Sequence, residues 1–203
     1  MTIYDITEKA RVSPATVSRV LNNKNNANFK TRKDVEYGIS TCVDHLKNKG
    51  HGDIVFVKDT VSVFASERKL EGYKKRMEYY GLPISDNNIF ECASFVEDGY
   101  EIIDKITQSG VKFSAIIFCN DAVAFRAAKK LIEIGRKIPD DVAITGFNNS
   151  IFSKYMTQTL TTLDNKFKMM SIFATQLLIG LIEGRNVNSD LLIKPNLIIR
   201  QST

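Results

Sequence analysis

From residue 53 onward the apolar positions alternate between two textures. Short runs rich in β-branched and aromatic residues, at Asp53 to Val57, Asn88 to Cys92, Phe113 to Cys119 and Val142 to Phe147, have the length of buried strands. Between them lie Glu67 to Tyr80, Val96 to Gln108 and Asp121 to Ile134, whose apolar residues recur at helical spacing. After a connecting stretch beyond Asn148, a strongly apolar helix is expected from Lys166 to Glu183, closed by Gly184. Strands and helices alternating at these lengths predict a parallel sheet wound with right-handed crossovers. Such sheets bind ligands at the carboxyl ends of their strands.

The first fifty residues follow a different pattern, with three short helical signals. Thr2-Ile3-Tyr4-Asp5 fits a capping box opening a helix that runs to about Ala10. Ser13 can cap a second helix with Pro14 in its first position, where the missing N–H costs nothing. That helix runs through Thr16, Val17, Val20 and Leu21, and only Arg11 and Val12 separate it from the first. Thr31-Arg32-Lys33-Asp34 is another capping box, opening a third helix whose apolar residues Val35, Ile39, Cys42 and Leu46 fall three or four apart. Two helices joined by a tight turn, the second short and polar on one face, are a helix-turn-helix arrangement. An ordinary three-helix cap would show the same periodicity.

Charge sharpens this division. Residues 1 to 50 carry nine Lys/Arg against five Asp/Glu, while the rest carry nineteen against eighteen, so nearly all of the net +5 sits in the first quarter. A basic head on a nearly neutral body points to nucleic acid, although a solvated basic face has the same charge. Cys42, Cys92 and Cys119 form no CxxC pair, and with only His45 and His51 they make neither a zinc set nor a disulfide framework. They read as reduced, mostly buried residues. No GxGxxG, no P-loop and no Ser/His/Asp set is present, so no cofactor, metal or catalytic residue is expected. No apolar run reaches the roughly 18 residues of a membrane span, and the charged N-terminus is unlike a signal peptide. A cytoplasmic, non-enzymatic, non-membrane protein is the expectation.

The segment from Thr2 to Lys24 resembles, almost residue for residue, the DNA-binding headpiece of lactose-repressor-like (LacI/GalR) transcription factors. The resemblance implies that Ala15, Thr16 and Arg19, with Pro14 at the edge, face base edges in the major groove, where an arginine can donate two bonds to guanine. It implies also that Tyr4, Ser13, Ser18, Asn22 and Thr31 hold phosphates, fixing register without reading sequence. Arg11 stands in the turn where the family usually has glycine. The likeness resumes over residues 43 to 203, carried in order by Leu70-Glu71-Gly72-Tyr73, Asn120-Asp121, Ile138 to Val142, Gly146-Phe147, Leu160 to Leu163 and Leu181 to Gly184. The implied organisation is a headpiece at 1–40 and, at 41–203, one lobe of a periplasmic-binding-protein-like sensor with its C-terminal helix and strands.

The same resemblance draws attention to what is missing. Family members place a minor-groove hinge helix, a linker and a whole first lobe between head and second lobe, whereas here the third helix runs directly into the second-lobe helix near Gly38 to Thr41. If the two fuse, Lys30 to Lys49 makes a rod of about 30 Å. Without the opposing lobe, the closure that couples a sugar or nucleobase effector to DNA affinity loses one wall. The effector positions implied by the resemblance are Lys69, where an arginine is usual, Asn120, and Asn148, where an acidic residue is usual. The apolar face of the 166–183 helix, including Phe167, Met170, Phe173, Ala174, Leu177, Leu178 and Leu181, would need another partner. The expected function is sequence-specific DNA binding by a homodimeric regulator of repressor type with impaired or lost effector sensing. The alternatives are an interaction protein that heterodimerises with a full-length relative, and a deletion remnant.

Overall fold

A single helix, α1 (Phe29–Asn48), opens the described part of the chain. The computed structural model describes residues 29–61, 63–185 and 193–203, so the first two predicted helices lie outside the described residues. Its start is two residues earlier than the capping box at Thr31 suggests, which moves Thr31 from the cap into the first turn. The helix crosses Gly38 to Thr41 without a break, as the spacing of Val35 to Leu46 requires.

The poor helix formers in that stretch have packing reasons to be small. A Cβ on Gly38 would lie 3.0 Å from the Pro195 ring and 3.4 Å from Leu163. Ser40 donates its hydroxyl back to the Glu36 carbonyl at 2.9 Å and lies 3.3 Å from the Gly72 carbonyl on α2 (Val63–Tyr79). At Gly72 itself a Cβ would fall 2.6 Å from the Glu36 carbonyl oxygen. The two helix backbones therefore touch, and Gly72 of the Leu-Glu-Gly-Tyr motif is what lets them. Around the crossing Glu36 pairs with Arg68 and Lys75, while both oxygens of Asp44 accept from the Arg76 guanidinium and Tyr80 adds a hydroxyl at 2.8 Å.

The chain then alternates as predicted through β1 (Ile54–Asp59), α2, β2 (Ile89–Cys92), α3 (Asp98–Gln108), β3 (Ala115–Phe118), α4 (Asp121–Glu133) and β4 (Ala143–Phe147). The connecting stretch holds more than a connection: a short helix α5 (Ile151–Tyr155) and β5 (Thr161–Asp164). The sheet order is β2-β1-β3-β4-β5-β6, parallel through β5, with β6 (Asn196–Ile198) antiparallel at the edge. The expected parallel sheet thus has one reversed strand. Its return segment is tied in by Ser202, whose hydroxyl accepts from the Thr161 N–H and donates to the Ile144 carbonyl.

Alternation along each strand feeds two buried faces. Ile54, Phe56, Ala115, Ile117 and Ala143 face α1 and α2, meeting Ile39, Cys42, Val43, Leu46, Tyr73 and Met77. Val55, Val57, Ile116, Phe118 and Ile144 face α3 and α4, meeting Ile102, Ile103, Ile106, Val123, Ala127 and Leu131. This body comprises Lys33–Asn165 and Lys194–Thr203. Lys166–Ile193 belongs to a separate compact unit and carries α6 (Phe167–Ile182). On α6, Leu178 is buried, Phe173, Ala174 and Leu177 are half-buried, and Phe167 and Met170 are exposed. Leu181 lies outside the residues whose side chains are described.

Because the α1–α2 contact is backbone against backbone, Gly72→Ala is expected to force the helices apart. The expected cost is about 1–3 kcal/mol, the range for overpacking, measured as a fall in the urea midpoint at unchanged slope.

Candidate functional site

The carboxyl ends of β1, β3 and β4 lie side by side in the middle of the sheet, and the three residues that the resemblance implies for an effector, Lys69, Asn120 and Asn148, gather there. Lys69 comes from α2 and is buried, at 8% exposure. Its ammonium donates to the Cys119 carbonyl at 3.0 Å, lies 3.7 Å from Asp59 Oδ2, and sits 4.1 Å above the centre of the Phe147 ring. Burial pulls its pKa below the ordinary lysine value, with Asp59 acting in the opposite sense. Asn120 follows Cys119 and caps α4. Its Oδ1 accepts from the Val123 N–H at 2.8 Å, while Nδ2 donates to the Ser94 carbonyl at 3.3 Å. Asn148 follows Phe147 with φ of 106°, and its Oδ1 accepts from Asn165 at 3.0 Å.

A second buried group organises the neighbouring strand ends. Asp121 accepts from the Thr162 hydroxyl at 2.5 Å and from the Ser150 N–H at 2.6 Å, joining α4, β5 and the start of α5. Burial raises its pKa. Gly146 is required beside it, because a Cβ there would strike Asp121 Oδ1 and come within 2.7 Å of Leu160. Arg200 closes the far side, donating to the Leu160 carbonyl at 2.6 Å and to Asn149 Oδ1 at 2.7 Å.

Sequence reasoning brought forward Lys69, Asn120 and Asn148 and missed the groups that engage them. Asp59 carried one usable signal, an acidic residue terminating a buried apolar run. Phe147 and Asn165 carried none, because a ring beneath an ammonium and an amide pairing across 17 positions follow only from the strand order. Among the described residues no group of three potential ligands could hold a metal ion. No described helix is long and apolar enough to cross a membrane. Tyr4, Ser13, Pro14, Ala15, Thr16, Ser18, Arg19 and Asn22 lie outside the described residues, as does the side chain of Thr31.

On the α3–α4 flank, Gly99 allows close approach, since a Cβ would come within 2.8 Å of the Ala127 nitrogen. Arg126 and Lys130 both lie over the Tyr100 ring, at 5.1 and 4.3 Å from its centre. The Phe125 and Phe152 rings pair at 5.4 Å, next to exposed Ile151 and Tyr155.

Residues 2–41 match the model for bacterial regulatory proteins of the lacI family, and residues 43–203 match a periplasmic binding protein-like domain. The two matches meet inside α1. The NTD biosynthesis operon regulator NtdR of Bacillus subtilis is 34% identical over 163 residues, which are 79% of this chain and 50% of the relative. The HTH-type transcriptional repressor PurR of Histophilus somni is 30% identical over 159 residues, 78% of this chain and 48% of the relative. The chain spans about half the length of the curated relatives it matches. A solved sugar-binding transcriptional regulator of the LacI family from Escherichia coli, complexed with phosphate, superimposes with a TM-score of 0.76 at 25% identity, covering 84% of this chain and 61% of that one.

Replacing Lys69 with alanine removes the ammonium's hydrogen bond to the Cys119 carbonyl and its contacts with Asp59 and the Phe147 ring. Loss of that charged hydrogen bond is expected to cost about 1.5–3 kcal/mol, with chemical denaturation as the measurement. Lys69→Met, which keeps the volume, is expected to cost less than Lys69→Ala.

Proposed function

We propose, from the premise that the chain belongs to the LacI family of bacterial regulatory proteins, that it binds DNA sequence-specifically and acts as a transcriptional repressor in the cytoplasm. The observation that carries this reading is the match of residues 2–41 to the regulatory-protein model, in the same chain as the sensor-like domain. In that reading residues 1–40 form the head. Ala15, Thr16 and Arg19, with Pro14 at the edge, read bases, while Tyr4, Ser13, Ser18, Asn22 and Thr31 hold phosphates. The basic excess of the first fifty residues supports it, since phosphate neutralisation supplies most of the sequence-independent affinity.

Effector sensing is impaired or lost in this proposal. Lys69, Asn120 and Asn148 are the residues an effector would need, and each is already engaged by a neighbour within the body. A duplex selected from a random pool for binding to the full chain is expected to show a two-fold consensus. Affinity for it should fall linearly with log salt, and common sugars and purines should leave it unchanged. Arg19→Ala is expected to reduce discrimination by about 1–3 kcal/mol per affected base pair. Equal binding of selected and random duplexes at every salt concentration would defeat the reading.

The working unit is a homodimer, with α4, Phe152 and the α5 region as the pairing surface. Exposed Ile151 and Tyr155 supply apolar area there, and the stacking of Arg126 on Tyr100 holds that long side chain back along α3. Light scattering on the free chain and on its DNA complex is expected to give twice the monomer mass. A monomer that doubles only when mixed with a full-length relative would favour the heterodimerising alternative.

A further inference from the structure

Cys42, Cys92 and Cys119 are all free thiols and all buried. Cys42 sits in the α1 face of the core, where burial pushes its thiol up to about 12. The other two form a pair, with sulfurs 3.7 Å apart. Cys92 ends β2 and Cys119 follows β3, with β1 between those strands. Their sulfurs meet because both residues lie where the strands run out and the two loops converge. The Asn120 amide donates across to the Ser94 carbonyl at 3.3 Å, and the Ser94 hydroxyl lies 3.7 Å from Cys119 Sγ. Ser94 itself turns the chain with a φ of 73°.

The two thiols are not equivalent. Cys92 keeps 8% exposure and Cys119 1%, so a small reagent arriving from solvent meets Cys92 first. The contact between them favours charge on Cys92, whose pKa falls through its contact with Cys119, while the same contact and burial push Cys119 up. A thiol of lowered pKa with a second thiol 3.7 Å away to resolve it is the arrangement of a reversible oxidant-sensitive site.

We propose that Cys92 and Cys119 are a modification site for small hydroperoxides, which convert the pair to an intramolecular disulfide. The Cys92 thiolate attacks one peroxide oxygen, breaking the O–O bond and giving a sulfenic acid and hydroxide. Cys119 sulfur then attacks the sulfenic sulfur, forming the S–S bond and expelling the second oxygen. The Cys119 proton neutralises the departing hydroxide. Two electrons leave the thiols, and one hydroperoxide is reduced to two waters, or to water and an alcohol.

Bond formation closes the sulfurs from 3.7 Å to about 2.0 Å. That draws in the loop whose Cys119 carbonyl holds Lys69 and whose Asn120 caps α4, so oxidation acts on the strand ends described above. The inference does not depend on DNA binding.

The test treats the reduced full chain with one equivalent of hydrogen peroxide, alkylates the remaining thiols, and maps peptides without reduction. Alkylatable thiols are expected to fall from three to one, with a single Cys92–Cys119 cross-linked peptide that dithiothreitol reverses. The same peptide is expected from Cys42→Ser, and Cys119→Ser should leave a dimedone-reactive sulfenic acid on Cys92. Three alkylatable thiols in native protein, at peroxide levels that oxidise the unfolded chain, would overturn the proposal. So would a bond to Cys42 or between chains.

Discussion

Backbone hydrogen bonding runs unbroken from Phe29 to Asn48, and the described body depends on that continuity. Gly38, Ser40 and Thr41 all favour interruption. Burying Ile39, Cys42, Val43 and Leu46 completely opposes it, at about 1.5–3 kcal/mol for each large apolar side chain. Gly and Ser each cost the helix at most about 1 kcal/mol relative to alanine, so packing wins by a clear margin. The small residues then contribute twice. They let α1 lie against Leu163 and Pro195 on one side and touch the α2 backbone at Gly72 on the other.

With α1 in place, α2 is fixed, and with α2 so is Lys69. A lysine on the inner side of a helix brings its ammonium over the strand ends whether or not a ligand is there. Its neighbours accommodate it without one: a carboxylate from β1, a carbonyl after β3 and an aromatic face from β4. Asp121 is held in the same manner by Thr162 and Ser150. Charged groups buried at the carboxyl edge need partners, and for Lys69 and Asp121 the partners are internal.

The alternating body was largely readable in advance, because β1 to β4 and α2 to α4 each announce themselves by periodicity and by the length of their apolar runs. What periodicity did not reveal was short or reversed, although the resemblance implied strands after the C-terminal helix. Thr161 to Asp164 is half threonine and lies deep in the sheet only because β4 lies on one side and β6 on the other. Ile151 to Tyr155 is too brief for a helical period to register. β6 pairs antiparallel because the chain returns from a distant segment, which no local pattern encodes. At the candidate site the residue identities were legible and their engagements were not. That Lys69 meets Asp59, or Cys92 meets Cys119, depends on β1 lying between β2 and β3, a fact of topology.

The proposed loss of effector sensing can be weighed in energies. A ligand that draws the Lys69 ammonium off the Cys119 carbonyl gives up a charged hydrogen bond of about 1.5–3 kcal/mol, together with the attraction of Asp59. A new charged hydrogen bond to that ligand returns about 1.5–3 kcal/mol. The exchange therefore gains little, and Lys69 alone adds little affinity. An arginine would change the balance, since its planar fork can serve two acceptors at once while a lysine offers a point charge. In the proposed reading the internal engagement of Lys69 therefore works against effector binding, and it arises at one position within α2's first two turns.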